Sequence, residues 1–175
     1  MYRFLTFILI VCFSYSMTLE DNSQEQSYIT NYSHIAVNEM YSSKIPASII
    51  LAQGMIESNC GQSSLASKAN NHFGIKCKDW GGPTFFKFDD DTDANGKLIK
   101  SCFRVYDTSD QSYRDHSNFL LKSDRYAGLF AYNSSDYKNW ANGLQACGYA
   151  TDKSYANKLI NIIERYQLYI YDVDL

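Results

Sequence analysis

Proline and histidine are scarce in this sequence, with two and three copies in 175 residues. His34, His72 and His116 stand far apart, so no pair sets two imidazoles on one helix face, and no metal site is expected. Positive charge is short as well: 16 Lys and Arg against 19 Asp and Glu leave a formal charge of −3. Such a chain carries no basic field for phosphates, so no nucleic-acid partner is expected. There is no internal repeat and no low-complexity tract. What remains is an ordinary globular composition, 45% hydrophobic and 20% charged, in a chain the size of one domain.

The first residues, "MYRFLTFILIVCFSYS", place Arg3 ahead of an apolar run of about ten residues, followed by the small polar Ser14 and Ser16. The run is too short to span a bilayer stably. Residues 1–16 therefore read as a signal peptide cleaved near Ser16, which makes the mature protein exported, periplasmic or extracellular, with no transmembrane segment after processing. Lipidation would need Cys12 as the mature terminus, and the bulky Val11 before it disfavours that route. Residues 17–27, "MTLEDNSQEQS", are polar and aperiodic and read as a flexible linker. The folded domain is expected over 28–171, as a monomer. Loss of Cys12 leaves Cys60, Cys77, Cys102 and Cys147, an even number that favours disulfides in an exported chain, with three possible connectivities.

Helical periodicity dominates. Ile29, Tyr32, Ala36 and Met40 share one face, and a second helix begins at Pro46 and runs to about Glu57, with Ile49, Ala52, Gln53 and Ile56 as its stripe. Asn59 and Gly61 stop it. Two aromatic and β-branched runs, "PTFFKF" and "LIKSCFRVY", flank "DDDTDANG", whose Asn95-Gly96 pair signals a hairpin. A small antiparallel lobe is expected over about 73–106, with Cys77 and Cys102 at its outer ends, near enough to be bridged. Helical spacing returns from Thr108 or Ser109, burying Tyr113, His116 and Leu120. It resumes from Ser135 with Trp140 and Leu144, and again after Thr151 or Asp152 with Tyr155, Leu159, Ile162 and Tyr166. The fold class is α+β, mainly α.

Glu57 is the residue that asks for chemistry. It closes an apolar helix, where desolvation and the negative end of the helix dipole both favour a retained proton, the state a general acid needs. Spacing alone leaves a solvated glutamate as the plainer reading. The hairpin offers a run of candidate partners, Asp89, Asp90, Asp91 and Asp93, whose spacing does not fit a calcium loop. A thiol hydrolase pairing Cys60 or Cys147 with His72 or His116 has no local signature. His116, on an apolar face, is expected to be a hydrogen-bonded core residue. Trp80, Phe85 and Phe86 cluster in the lobe, where aromatic rings stack on sugars.

Four stretches, "ILAQGMIESNCGQSSLA", "NNHFGIKC", "CFRVYDTSDQSYRDHSNFL" and "GYATDKSYANKLINII", together resemble the bacterial endo-β-N-acetylglucosaminidases of the peptidoglycan-hydrolysing autolysin type, related to the flagellar rod peptidoglycan hydrolases. The resemblance covers roughly residues 28–171. It implies a lysozyme-like helical domain with a small β-hairpin lobe forming one wall of a cleft, acting on peptidoglycan glycan strands without cofactor or metal. It makes Glu57, of the "ES" motif, the catalytic acid. It assigns Tyr149, of "YATD", to the active site, where its hydroxyl would hold the N-acetyl group or a water. Asn71, Phe73 and Gly74 match an "NLFGIK" type of motif and are expected to line the cleft, with Trp80 and Tyr155 as further substrate-binding residues. Many members carry a glutamate on the lobe where this sequence has "DDDTD"; Asp91 is favoured as second acid, then Asp90. The same resemblance brings "ESNC" and "ACGYATD" together and implies a Cys60–Cys147 bridge beside Cys77–Cys102. A non-catalytic glycan-binding module and a cell-wall amidase are the alternatives.

Overall fold

A computed structural model describes residues 23–175; the side chains of Ser23 and Asp90 lie outside the described residues. The expected signal peptide at 1–16, Cys12 and the first part of the linker, 17–22, also lie outside them. The chain is mainly helical α+β. Its elements are α1 (Ser23–Ser43), α2 (Ala47–Ser58), α3 (Ser64–Ala69), β1 (Thr84–Thr92), β2 (Leu98–Arg104), α4 (Ser109–Lys122), α5 (Tyr137–Ala146) and α6 (Tyr155–Arg165), with 3₁₀ segments at Asp124–Ala131 and Leu168–Tyr171.

The α1 helix buries Ile29, Ala36 and Met40 of its expected stripe, with Tyr32 half-buried and Tyr28 and Ile35 buried beside them, and begins at Ser23, five residues before the expected start of the fold. The α2 helix is buried on every side from Ala47 to Met55, because it runs through the middle of the body with α1, α5, α6 and the last 3₁₀ segment packed on it. Its first turn is capped from the far end of the chain. The Asp172 carboxylate accepts from Ser48 N (2.8 Å) and Ser48 Oγ (2.6 Å), where Pro46 offers no side-chain oxygen. Burial pushes the Asp172 carboxyl up to about 6, against the pull of those hydrogen bonds.

The α5 helix starts at Tyr137, capped by Asp136, and not at Ser135. The α6 helix starts at Tyr155; Asp152 instead accepts from Ser154 N (2.8 Å) and shapes the turn leading in. Neither 3₁₀ segment has a period that the sequence pattern exposes.

The lobe is an antiparallel hairpin pairing Phe85 with Phe103 and Phe88 with Lys100, with an irregularity between Phe88 and Thr92. Its turn closes as the spacing predicts: Gly96 takes a left-handed φ of 77°, and Asp93 Oδ1 accepts from Asn95 N and Lys97 N. Lys76 forms a single antiparallel bridge with Phe103, on the other edge of β2. The Cys77–Cys102 disulfide fixes this edge, its Cα atoms 5.4 Å apart.

Candidate active site

The α2 helix ends abruptly, and that ending aims Glu57. Asn59, Cys60 and Gly61 are all left-handed, with φ of 50°, 49° and 81°. Ser58 locks the bend by donating to Gly54 O (2.5 Å) and accepting from Gly61 N (2.7 Å). Behind the helix lies core; past it lies solvent, and the Glu57 side chain is exposed there. Its Oε1 accepts from Tyr155 Oη at 3.0 Å, and Tyr155 Oη accepts in turn from Gln53 Nε2 at 3.1 Å. Oε2 has no hydrogen bond among the described residues. Protein packed behind the carboxyl raises its pKa, and the Tyr155 hydrogen bond pulls it down. Because the group is open at its surface, the lift is less than full enclosure would give.

Tyr149 completes the cluster. Its ring stacks on Tyr155, with centroids 5.5 Å apart and planes 22° from parallel. Burial, and after it the nearby charge of Glu57, hold the Tyr149 phenol well above its ordinary pKa, so it stays an intact O–H. Behind Tyr149 stands His116, fully buried, its ring edge-on to Tyr149 and stacked on Phe73 at 4.0 Å. The expected hydrogen bonds of His116 are missing: neither ring nitrogen has a partner among the described residues. Burial pushes its pKa down to about 3, so it is a neutral ring packed as an aromatic.

Of the residues expected to meet substrate, Glu57, Tyr149 and Tyr155 come together, although Tyr155 is buried and faces Glu57. Asn71 is buried and fully engaged. Its Nδ2 donates to Ile75 O and Arg104 O, and its Oδ1 accepts from Ile75 N, tying the 71–75 turn to β2. Phe73 is buried against His116 and Tyr113, a core position and not a cleft lining. Gly74 supplies a left-handed turn, φ 64°. Trp80 lies under the Arg104 guanidinium and donates to Pro83 O (2.9 Å). It lines a pocket of about 440 Å³ with Tyr106, Gln111, Arg114 and Asn118; neither Glu57 nor Tyr149 borders it.

Asp91 is held on the hairpin by Lys76 Nζ at 2.5 Å and by the Ser101 hydroxyl. The hydrogen bonds from Lys76 and Ser101 hold its carboxyl below the usual range, so it is ionised. Asp89 shares the same lysine at 3.5 Å. The side chain of Asp90 lies outside the described residues.

The expected Cys60–Cys147 bridge does not form; both thiols are free. Cys60 borders a pocket with Tyr28 and Tyr32 of α1, while Cys147 ends α5 near Tyr126. Sequence reasoning also missed Lys76 and Ser101 as partners of Asp91, since the strand irregularity brings Ser101, paired across from Lys87, within reach of a residue four further on. The amide of Gln53 was legible only as a position in a buried stripe.

The family model for mannosyl-glycoprotein endo-beta-N-acetylglucosaminidase matches residues 33–168. The exo-glucosaminidase LytG of Bacillus subtilis (strain 168) is 33% identical over 162 residues, 90% of this chain and 57% of that protein. The peptidoglycan hydrolase FlgJ of Escherichia coli (strain K12) is 34% identical over 129 residues, 70% of this chain and 41% of that protein. The chain thus spans less than two thirds of either relative. The catalytic domain of the autolysin Auto from Listeria monocytogenes has the same fold, with a TM-score of 0.76 at 29% identity, covering 86% of this chain and 88% of that one. A match over most of the chain, joined to this fold, places the protein: it belongs to the glucosaminidase family.

Proposed function

We propose that the protein is an exported peptidoglycan hydrolase that cleaves the β-1,4 bond after N-acetylglucosamine, with Glu57 as general acid. The observation that carries this reading is the asymmetry at Glu57: one carboxyl oxygen is held by a buried tyrosine and the other is free toward solvent. The free oxygen is where a proton passes to the departing glycosidic oxygen while positive charge builds on the sugar ring. Asp91 is the second carboxylate in this scheme. Lys76 and Ser101 keep it ionised while packing at Glu57 favours the protonated form; such a split is how two carboxyls take different roles. Asp91 stabilises the charged ring or activates water. The Tyr149 hydroxyl, which has no hydrogen bond among the described residues, orients the N-acetyl group or that water.

The names of the relatives support glycan strands as substrate: LytG is a glucosaminidase and FlgJ a peptidoglycan hydrolase. Reductive labelling of the saccharide ends released from purified peptidoglycan tests the bond. New N-acetylglucosamine reducing ends are expected; new muramic acid ends, or no release, would contradict it.

A further inference from the structure

Gln53 is fully buried on α2, one turn before Glu57, and its Oε1 has no partner among the described residues. An unpaired buried amide oxygen destabilises the fold, and methionine would fill the same space without that loss. The amide's other end does something methionine cannot. Its Nε2 donates to Tyr155 Oη (3.1 Å), which donates to Glu57 Oε1 (3.0 Å). A phenol has one hydrogen to give. Were Gln53 to turn its oxygen to Tyr155, that hydrogen would be drawn away, and an ionised Glu57 would face a lone pair.

We propose that Gln53 is a positioning residue that fixes the polarity of the Tyr155 hydroxyl, so that it donates to Glu57 Oε1 and leaves Oε2 to serve the glycosidic oxygen. This rests on the reading of Glu57 as the acid. When the proton leaves Oε2 for the glycosidic oxygen, the carboxylate left behind is already hydrogen-bonded, and no group has to turn to receive the charge. A chain of aligned hydrogen bonds also makes Tyr155 a stronger donor than it is alone. The titratable groups facing Glu57 are Tyr155 of α6 and Tyr149, both neutral phenols; no lysine or arginine forms an ion pair with it among the described residues.

The test is an NMR titration of the Glu57 side-chain carboxyl in the full chain, comparing the parent, Gln53→Met, Tyr155→Phe and the double variant. Tyr155→Phe should raise the Glu57 midpoint by about one pH unit. Gln53→Met should raise it by roughly a third as much, and should add nothing in the Tyr155→Phe background, because its effect passes through that hydroxyl. Gln53→Leu, also without a donor, replaces the Met variant should that one fail to fold. An unmoved midpoint, or an equal shift with Tyr155 already gone, would overturn the proposal. A Glu57→Gln protein that still hydrolysed peptidoglycan would instead remove the general-acid reading, and the midpoints would report on Gln53 regardless.

Discussion

The helical body and the hairpin each contribute one carboxylate, and they hold it in opposite ways. Glu57 stands at the end of a helix buried on all sides, backed by a buried tyrosine and glutamine. Asp91 stands on a two-stranded arm, pinned by surface contacts with Lys76 and Ser101. The arm is fastened at its root by the Cys77–Cys102 disulfide and the Lys76–Phe103 bridge, while Phe86, Phe88 and Leu98 are left 58%, 59% and 53% exposed. Packing raises the carboxyl of the body, and charge and hydrogen bonds lower that of the arm. In the proposed scheme that division is useful: the proton donor needs a dry, fixed back, while the charged partner needs to remain ionised.

The largest contrast is in stability. Leu51, fully buried at the centre of α2, should cost about 2–5 kcal/mol when cut to alanine. Phe86→Ala on the exposed face of the arm should change stability by about 0.5 kcal/mol or less. Denaturant unfolding of both variants checks this, and equal losses would break the distinction between body and arm.

Acid should sharpen the same contrast, because both buried histidines belong to the body. Burial lowers His72 to about 4 and His116 to about 3. Their folded values lie below the unfolded one, so the unfolded chain binds more protons. Stability is therefore full above about pH 6.5 and is lost as pH falls toward those values. Asp172, raised to about 6, and Glu57, raised in the same direction, work the other way below that pH, but the histidine loss begins at higher pH and spans a wider range. Melting temperatures should fall between pH 7 and pH 4, and a flat profile would contradict the buried neutral histidines.

Much of this was legible in the sequence, and the reason differs by element. The α1 stripe and the Asn95-Gly96 turn depend on local spacing and on left-handed backbone, which neighbouring residues encode. That Glu57 stands at a helix end was legible from the apolar run before it, and that Tyr149 lies near it was legible from a family motif. Contacts between distant segments were not. Asp172 capping α2, Lys76 on Asp91, and the separation of Cys60 from Cys147 all follow from tertiary packing that no local pattern reports. Asn71 and Phe73 belong to a motif beside the site, yet their side chains hold the turn and the core instead of facing outward.

The most direct test of the central claim is Glu57→Gln, assayed on cell-wall gels beside the parent, with melting temperature as the control for fold. An amide occupies the same space and has no acidic proton to give. The expected result is an unchanged melting temperature with clearing reduced by at least about a hundredfold; clearing at the parental rate would contradict the account.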